Sequence, residues 1–180
     1  MQEKCWKDKM LLRYFLLLIL LIPIKAFALI EVDITRGNLN PLPIAVSPLS
    51  IDEESKESFK KILKKKDIGS EISVVVENNL KQSGLFNPLN KDAFLQKPDI
   101  ANLKPRFEDW NLIKAQALVT GKVTYVGEKL RVEFRLWDVL AGKEMMALAF
   151  TTVPSNWRRV GHIITDKVYE RLTGEKGYFD

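Results

Sequence analysis

The clearest pattern in the chain is a regular alternation of apolar and polar side chains in its second half. In one stretch every second residue is apolar: Leu130, Val132, Phe134 and Leu136. This alternation predicts a strand with one buried face. Residues 117–126 and 144–153 are similarly rich in β-forming residues, and turn sequences at 127–128 and 141–143 separate the three segments. The pattern therefore predicts an antiparallel meander that is covered on one face.

Two other segments repeat apolar residues at helical spacing. Residues 67–83 carry one continuous apolar stripe, and Gly84 follows as a stop signal of the Schellman type. Residues 157–172 carry a second stripe that ends at Thr173-Gly174, and Ser155 is placed to cap this helix. Both stripes predict amphipathic helices that pack on a sheet.

The remaining elements are shorter. Residues 30–34 and 42–46 read as strands, and residues 107–113 as a short helix. The charge block at 52–67 predicts a solvated helix or loop with Ser55 as its cap, because its early acids neutralise much of its later lysine cluster. Residues 90–105 are polar, contain two prolines, and predict a surface connection.

The order of these elements is β-β-α-α-β-β-β-α. It predicts an α/β fold in which helices pack on a mixed sheet of about five strands. We expect one domain over residues 38–180, because no internal repeat or linker divides this stretch. A short strand-like segment, residues 29–37, precedes the domain.

The first 28 residues have the organisation of a secretory signal. A basic stretch ends at Arg13, an apolar run of eleven residues follows, and small residues stand three and one positions before a cleavage point after Ala28. The run is shorter than the ~20 residues that span a membrane. We therefore predict export and cleavage without membrane insertion of the mature chain; the alternative is an uncleaved anchor. Cys5 precedes the run, so it is not a bacterial lipid-attachment site.

Charge separates the signal from the rest of the chain. The 180 residues carry a formal charge of +5, of which residues 1–28 supply +3 (five bases against two acids), which leaves +2 for the remainder. A nearly balanced mature chain argues against a dedicated nucleic-acid partner.

A search for catalytic chemistry finds no candidate site. The mature chain has no Cys and a single His, His162, which excludes Cys–His catalysis and multi-His metal sites within one chain. Neither a nucleophile elbow nor a phosphate-binding glycine loop occurs. His162 reads as a partly exposed helix residue, and Trp137 either packs under a helix or marks a partner surface. We predict no enzyme, no cofactor and no metal, and the missing nucleophile–base pair argues against a small hydrolase.

Several stretches together resemble the amino-terminal domain of the TolB family, periplasmic proteins of the Tol–Pal system of Gram-negative bacteria. The resemblance covers nearly all of residues 30–179 and rests on four segments: 43–46, 79–89, 117–123, and 157–162 with 167–179. It implies a fold similar to anticodon-binding domains and a non-enzymatic scaffold that supports outer-membrane integrity and envelope constriction at division. In this family a propeller follows the domain and binds the lipoprotein Pal, so contact with Pal is expected only if a propeller is supplied elsewhere.

The resemblance also implies a partner site at the mature amino terminus, where the family contacts the inner-membrane-anchored protein TolA. It maps onto nine residues: Leu29, Ile30, Glu31, Val32, Asp33, Ile34, Thr35, Arg36 and Gly37. An alternating segment of this kind can add to the edge of a partner's sheet, or it can complete the domain's own sheet. The alternative function is an exported nucleic-acid-binding module of anticodon-binding-like fold.

Overall fold

The structure, a computed structural model, describes residues 40–65 and 67–180. The predicted signal sequence, the predicted strand at 30–34 and the predicted partner segment 29–37 lie outside the described residues. Within the described part of the chain, no helix combines the length and the apolar composition needed to cross a bilayer.

One mixed sheet organises the domain. Its strands are β1 (Leu42–Val46), β2 (Ser50–Ile51), β3 (Phe86–Pro88), β4 (Ala117–Val126), β5 (Lys129–Asp138) and β6 (Lys143–Thr152). The order is β3-β1-β4-β5-β6, with β2 also paired to β4. β1 is parallel to β3 and β4, whereas β4, β5 and β6 form an antiparallel meander. The predicted mixed sheet and meander are confirmed, with six strands rather than about five.

In the described part of the chain, five helices cover this sheet. They are α1 (Glu53–Leu63), α2 (Ile68–Gln82), α3 (Pro98–Leu103), α4 (Phe107–Leu112) and α5 (Trp157–Thr173). The predicted bounds of α2 and α5 are confirmed to within one residue. Asp67 caps α2 by accepting from the Ser70 N–H at 2.9 Å, and Gly84 beyond its end has a φ of 73°. That left-handed angle is the one expected of a glycine that ends a helix.

Two predicted helix caps are wrong. Asp52, not Ser55, caps α1, because it stands one turn earlier and its carboxylate accepts from the Ser55 N–H at 2.9 Å. Ser55 is buried, and its hydroxyl accepts from the Tyr125 N–H at 2.9 Å. Ser155 lies inside a 3-10 turn (Pro154–Asn156) that precedes α5, so it cannot occupy the cap position.

The larger core lies between the sheet and the helices α1, α2 and α5. Ile72, Leu80, Phe134 and Leu172 are fully buried in it. The two long helices cross closely at Gly161, where an added Cβ would lie 2.8 Å from the Val75 side chain. A glycine at this position therefore permits the close packing of α5 on α2.

A smaller core lies on the opposite face of the sheet, under α3 and α4. Its buried residues are Ala45, Ala101, Trp110, Ala115, Leu118 and Val139. The expectation that residues 90–105 form only a surface connection is wrong, because this segment contains a 3-10 turn (Lys91–Ala93) and α3. Ala101 of α3 is fully buried, so tertiary packing holds a helix that its polar sequence does not predict.

Candidate interaction surfaces

The structure shows where the predicted partner segment, residues 29–37, leads into the described domain. The described domain begins at Asn40, and the chain enters β1 at Leu42. β1 is parallel to β4, and the meander then reverses direction twice, so β6 begins at the end of the sheet where β1 begins. The segment is therefore tethered at this end of the sheet.

Trp137 lies on the polar face of β5, and its contacts decide between the two roles predicted for it. The indole N–H of Trp137 donates to the Thr120 hydroxyl at 2.9 Å, and its ring meets Phe107 edge-on with centroids 5.9 Å apart. Trp137 thus packs under α4, which is the first of the two roles predicted for it.

The arginines of that face are paired with carboxylates. Arg131 contacts Glu133 at 2.8 Å, and Arg135 contacts Glu144 at 3.3 Å. These four side chains are partly exposed, so each pair contributes little to stability but leaves no isolated charge. Both arginines of this face therefore have carboxylate partners within the domain.

Acidic residues gather at a cleft of about 470 Å³ beside β2 and the starts of α1, α2 and α3. Glu53 pairs with Lys56 at 2.6 Å, and Asp67 accepts from both the N–H and the hydroxyl of Ser70. Asp52, which caps α1, accepts the Ser55 N–H, and this hydrogen bond lowers the pKa of the Asp52 carboxyl. Glu53, Asp67 and Asp52 are therefore occupied in an ion pair and in helix caps rather than poised for acid–base chemistry.

His162 is a contact between the two long helices. Its Nδ1 lies 2.8 Å from the Asn79 side-chain amide, which also donates to the Thr165 hydroxyl at 3.2 Å. The prediction of a partly exposed helix residue is confirmed, and its hydrogen bonds indicate a structural role.

No feature of the sequence singles out the carboxyl of Glu77. It lies on α2 beside a cleft of about 280 Å³ and forms an ion pair with Lys91 at 3.1 Å. Burial raises the pKa of Glu77, and Lys91 opposes that shift. Its Oε1 is buried without a hydrogen-bond partner among the described residues. Its signal in the sequence is only an acid at the margin of an apolar stripe, which many helices share.

The described residues contain no group of three or more His, Cys, Asp or Glu side chains placed to hold a metal ion. The titratable groups described above act as helix caps, as ion pairs or as contacts between helices.

Comparison with known proteins identifies the domain. The family model for the TolB amino-terminal domain matches residues 30–145. A relative from Pelagibacter ubique (strain HTCC1062), named Tol-Pal system protein TolB, is 88% identical over 171 residues. That match covers 95% of this chain but 38% of the relative, so the chain spans less than two fifths of its length.

A solved structure supports the same fold. The crystal structure of TolB from Acinetobacter baumannii matches with a TM-score of 0.61 at 21% identity, covering 83% of this chain and 32% of that chain. At this identity the match speaks to architecture alone, and it agrees with the mixed sheet and helices described above. With the family match extending over most of the chain, the protein belongs to the TolB amino-terminal domain family.

Proposed function

We propose that the chain is a non-enzymatic, periplasmic component of the Tol–Pal system. The observation that carries this proposal is the 88% identity to a protein named for that system, together with the family match over residues 30–145. The signal-like residues 1–28 support a periplasmic location. A scaffold role agrees with the structural use of three carboxylates: Asp52 and Asp67 cap helices, and Glu53 forms an ion pair.

The contact with TolA is proposed for residues 29–37. Support comes from the family resemblance and from the alternation of Ile30, Val32 and Ile34 with Glu31 and Asp33. A strand that adds to a partner's sheet gains affinity from main-chain hydrogen bonds and specificity from alternate side chains. Its tether at the start of β1 leaves it attached to the domain through residues 38–41. Through this contact the domain would support outer-membrane integrity and envelope constriction at division.

Contact with Pal is assigned, by the resemblance, to a propeller. Since the chain covers 38% of its relative, Pal binding is proposed only for a protein in which a propeller accompanies this domain. The proposal includes no cofactor and no nucleic-acid partner.

Calorimetry against the periplasmic domain of TolA tests the assignment. Exported protein that starts at Leu29 is expected to bind, and a version that starts at Asn38 is expected to lose binding. Val32→Pro removes a main-chain donor and fixes φ, so it should also abolish most of the affinity. Equal affinity of the long and the short version would exclude residues 29–37 as the site.

A charge reversal separates steering from main-chain pairing. Glu31→Lys with Asp33→Lys should act mainly on the association rate and on its salt dependence. The matched control is Glu54→Lys with Glu57→Lys on the exposed side of α1, which reverses the same number of charges on the folded domain. The control is expected to leave the association rate within about twofold of the original, since it lies away from the proposed contact.

A further inference from the structure

Among the described residues, no further strand pairs with the outer edge of β6. β6 spans ten residues and, in the described part of the chain, pairs with β5 alone. The opposite edge strand, β3, has only three residues. The outward N–H and C=O groups of an edge strand have no partner within their sheet and form a template for another strand. β6 is therefore the larger strand-accepting edge of the domain.

After its first two residues, Lys143 and Glu144, the composition of β6 lacks the usual protection of an edge. Natural edges are blocked by Lys, Pro, bulges or a covering loop. Residues 145–152 include neither a charged residue nor a proline. The ladder is irregular only near Leu136 and Trp137, opposite the start of β6, and at its other end Asn156 donates to the Thr152 hydroxyl at 3.1 Å. The stretch from Met146 to Thr151 carries no such device.

The helix-facing side of this edge is apolar and incompletely covered. Leu148 and Phe150 pair with the buried residues Phe134 and Val132 of β5, so they lie on the same side as the larger core. Phe150 stacks on Phe134 with ring centroids 6.0 Å apart, but Leu148 remains 38% exposed. A strand added beside β6 would place an apolar side chain over Leu148 and extend the core by one strand.

An unmatched positive charge stands at the start of this edge. The Arg171 Nε of α5 donates to the Met145 carbonyl at 3.3 Å. Among the described residues Arg171 forms no ion pair, and its terminal amino groups carry no hydrogen bond, whereas Arg131 and Arg135 of β5 are both paired. A guanidinium with two free amino groups suits a carboxylate.

The position of Arg171 distinguishes between two kinds of occupant. In an antiparallel pairing of two copies through β6, the Met145 end of one copy would meet the other copy's residues 151–153, which are uncharged. A second copy would therefore leave Arg171 without a carboxylate. An extended segment that carries an acidic residue at that end satisfies both the apolar side and the charge.

We propose that the edge of β6 from Met146 to Thr151 binds an extended segment of a partner protein by strand addition. The segment has apolar side chains at alternate positions and a carboxylate beside Arg171. This surface is made of other residues than the segment 29–37, so it would give the domain a second contact.

The test uses exported protein and two synthetic peptides of the length of β6. Each peptide alternates Val and Thr; one has Glu at both ends and the other has Lys, so that either strand direction is probed. We expect the Glu peptide to slow backbone amide exchange, followed by NMR, about tenfold or more at the outward amides of Met146–Thr151. It should bind about tenfold more tightly than the Lys peptide.

Variants assign the effect to the edge. Leu148→Lys places a charge on β6, the strand that would accept the peptide, and should abolish binding of both peptides. Arg171→Gln should remove the preference for the Glu peptide. The control is Val126→Lys, which alters an exposed apolar residue at the end of β4 and should change neither affinity. Amide dispersion in the NMR spectrum verifies that each variant is folded.

Three results would overturn the proposal. One is unchanged exchange at β6 with either peptide, and another is protection that appears elsewhere or survives Leu148→Lys. The third is protection of β6 that rises with protein concentration in the absence of peptide, because it would make the occupant a second copy of the chain.

Discussion

The two faces of the sheet are covered in different ways. On one face the long helices α2 and α5 pack along their apolar stripes and bury Leu80 and Leu172 fully. On the other face two six-residue helices, α3 and α4, cover a smaller core centred on Trp110. Isolated helices of that length are not stable in water, so α3 and α4 depend on their contacts with the sheet. One side of the sheet is therefore covered by long helices with continuous apolar stripes. The other side is covered by short helices that form only because they pack on the sheet.

The largest expected effect concerns the smaller core. Trp110 is 1% exposed, and its indole N–H donates to the Gln96 side-chain oxygen at 2.8 Å. Trp110→Ala should reduce the free energy of unfolding by about 3–5 kcal/mol, because it removes the largest side chain under α3 and α4. Urea unfolding monitored by circular dichroism measures the change.

Trp110→Phe is the matched variant for that measurement. It keeps an aromatic ring but removes one of the two donors to the Gln96 oxygen, which also accepts from the Arg106 N–H at 2.8 Å. It should therefore cost about 0.5–1.5 kcal/mol, the contribution of one hydrogen bond. If Trp110→Ala reduced the free energy of unfolding by less than Trp110→Phe, packing on this second face would contribute nothing to stability.

The next effect concerns the larger core. Leu80 lies in the stripe of α2 and is fully buried. Leu80→Ala should cost about 2–5 kcal/mol through lost apolar burial and the cavity it leaves. Differential scanning calorimetry of this variant and of Trp110→Ala should each show one transition, since both cores share a single sheet. Two separate transitions would contradict a single cooperative domain.

Helix caps give a smaller and more selective effect. Asp52→Ala should cost about 0.5–2 kcal/mol, because Asp52 accepts the Ser55 N–H at the start of α1. Ser155→Ala should stay within about 0.5 kcal/mol, since Ser155 lies outside the cap position of α5. Parallel thermal denaturation of both variants makes the comparison, and equal costs would contradict the cap assignment.

The smallest effect is a pH dependence with opposite signs at two carboxyls. Burial raises the pKa of Glu77 in the folded protein, so the fold binds more protons than the unfolded chain and loses stability as pH rises between the unfolded value, near 4.5, and the raised one. Asp52 acts in reverse: its hydrogen bond from Ser55 lowers the pKa, and its contribution is lost as pH falls below about 3.8.

Stability measured against pH separates the two groups. Glu77→Gln should remove the loss of stability as pH rises through that interval, whereas Asp52→Asn should remove the loss of stability as pH falls below about 3.8. If both variants keep the slope of stability against pH that the original protein shows, neither carboxyl is responsible for it. Both substitutions lie in the described domain, so the proposed segment 29–37 is the same in all the proteins compared.

The sequence predicted the elements whose patterns are long. The alternation around Phe134 and the stripe through Leu80 yielded the meander and α2 almost to the residue. Gly84 marked the end of that helix correctly because a positive φ strongly favours glycine.

The elements that sequence patterns missed are those that the rest of the fold determines. β2 has two residues, and α3 begins at Pro98 within a polar segment held by the burial of Ala101. Ser55 resembled a cap, but Asp52 competes for the same position, and the choice depends on where the chain leaves β2. The open edge of β6 was predicted only as a strand, because strand order is not encoded in alternation.

Hydrogen exchange of the exported protein with the periplasmic domain of TolA tests the central proposal most directly. We expect slower exchange at residues 29–37 on binding, with no change at Met146–Thr151 of β6. Protection confined to β6 or to the face under α3 and α4, with residues 29–37 unaffected, would contradict it.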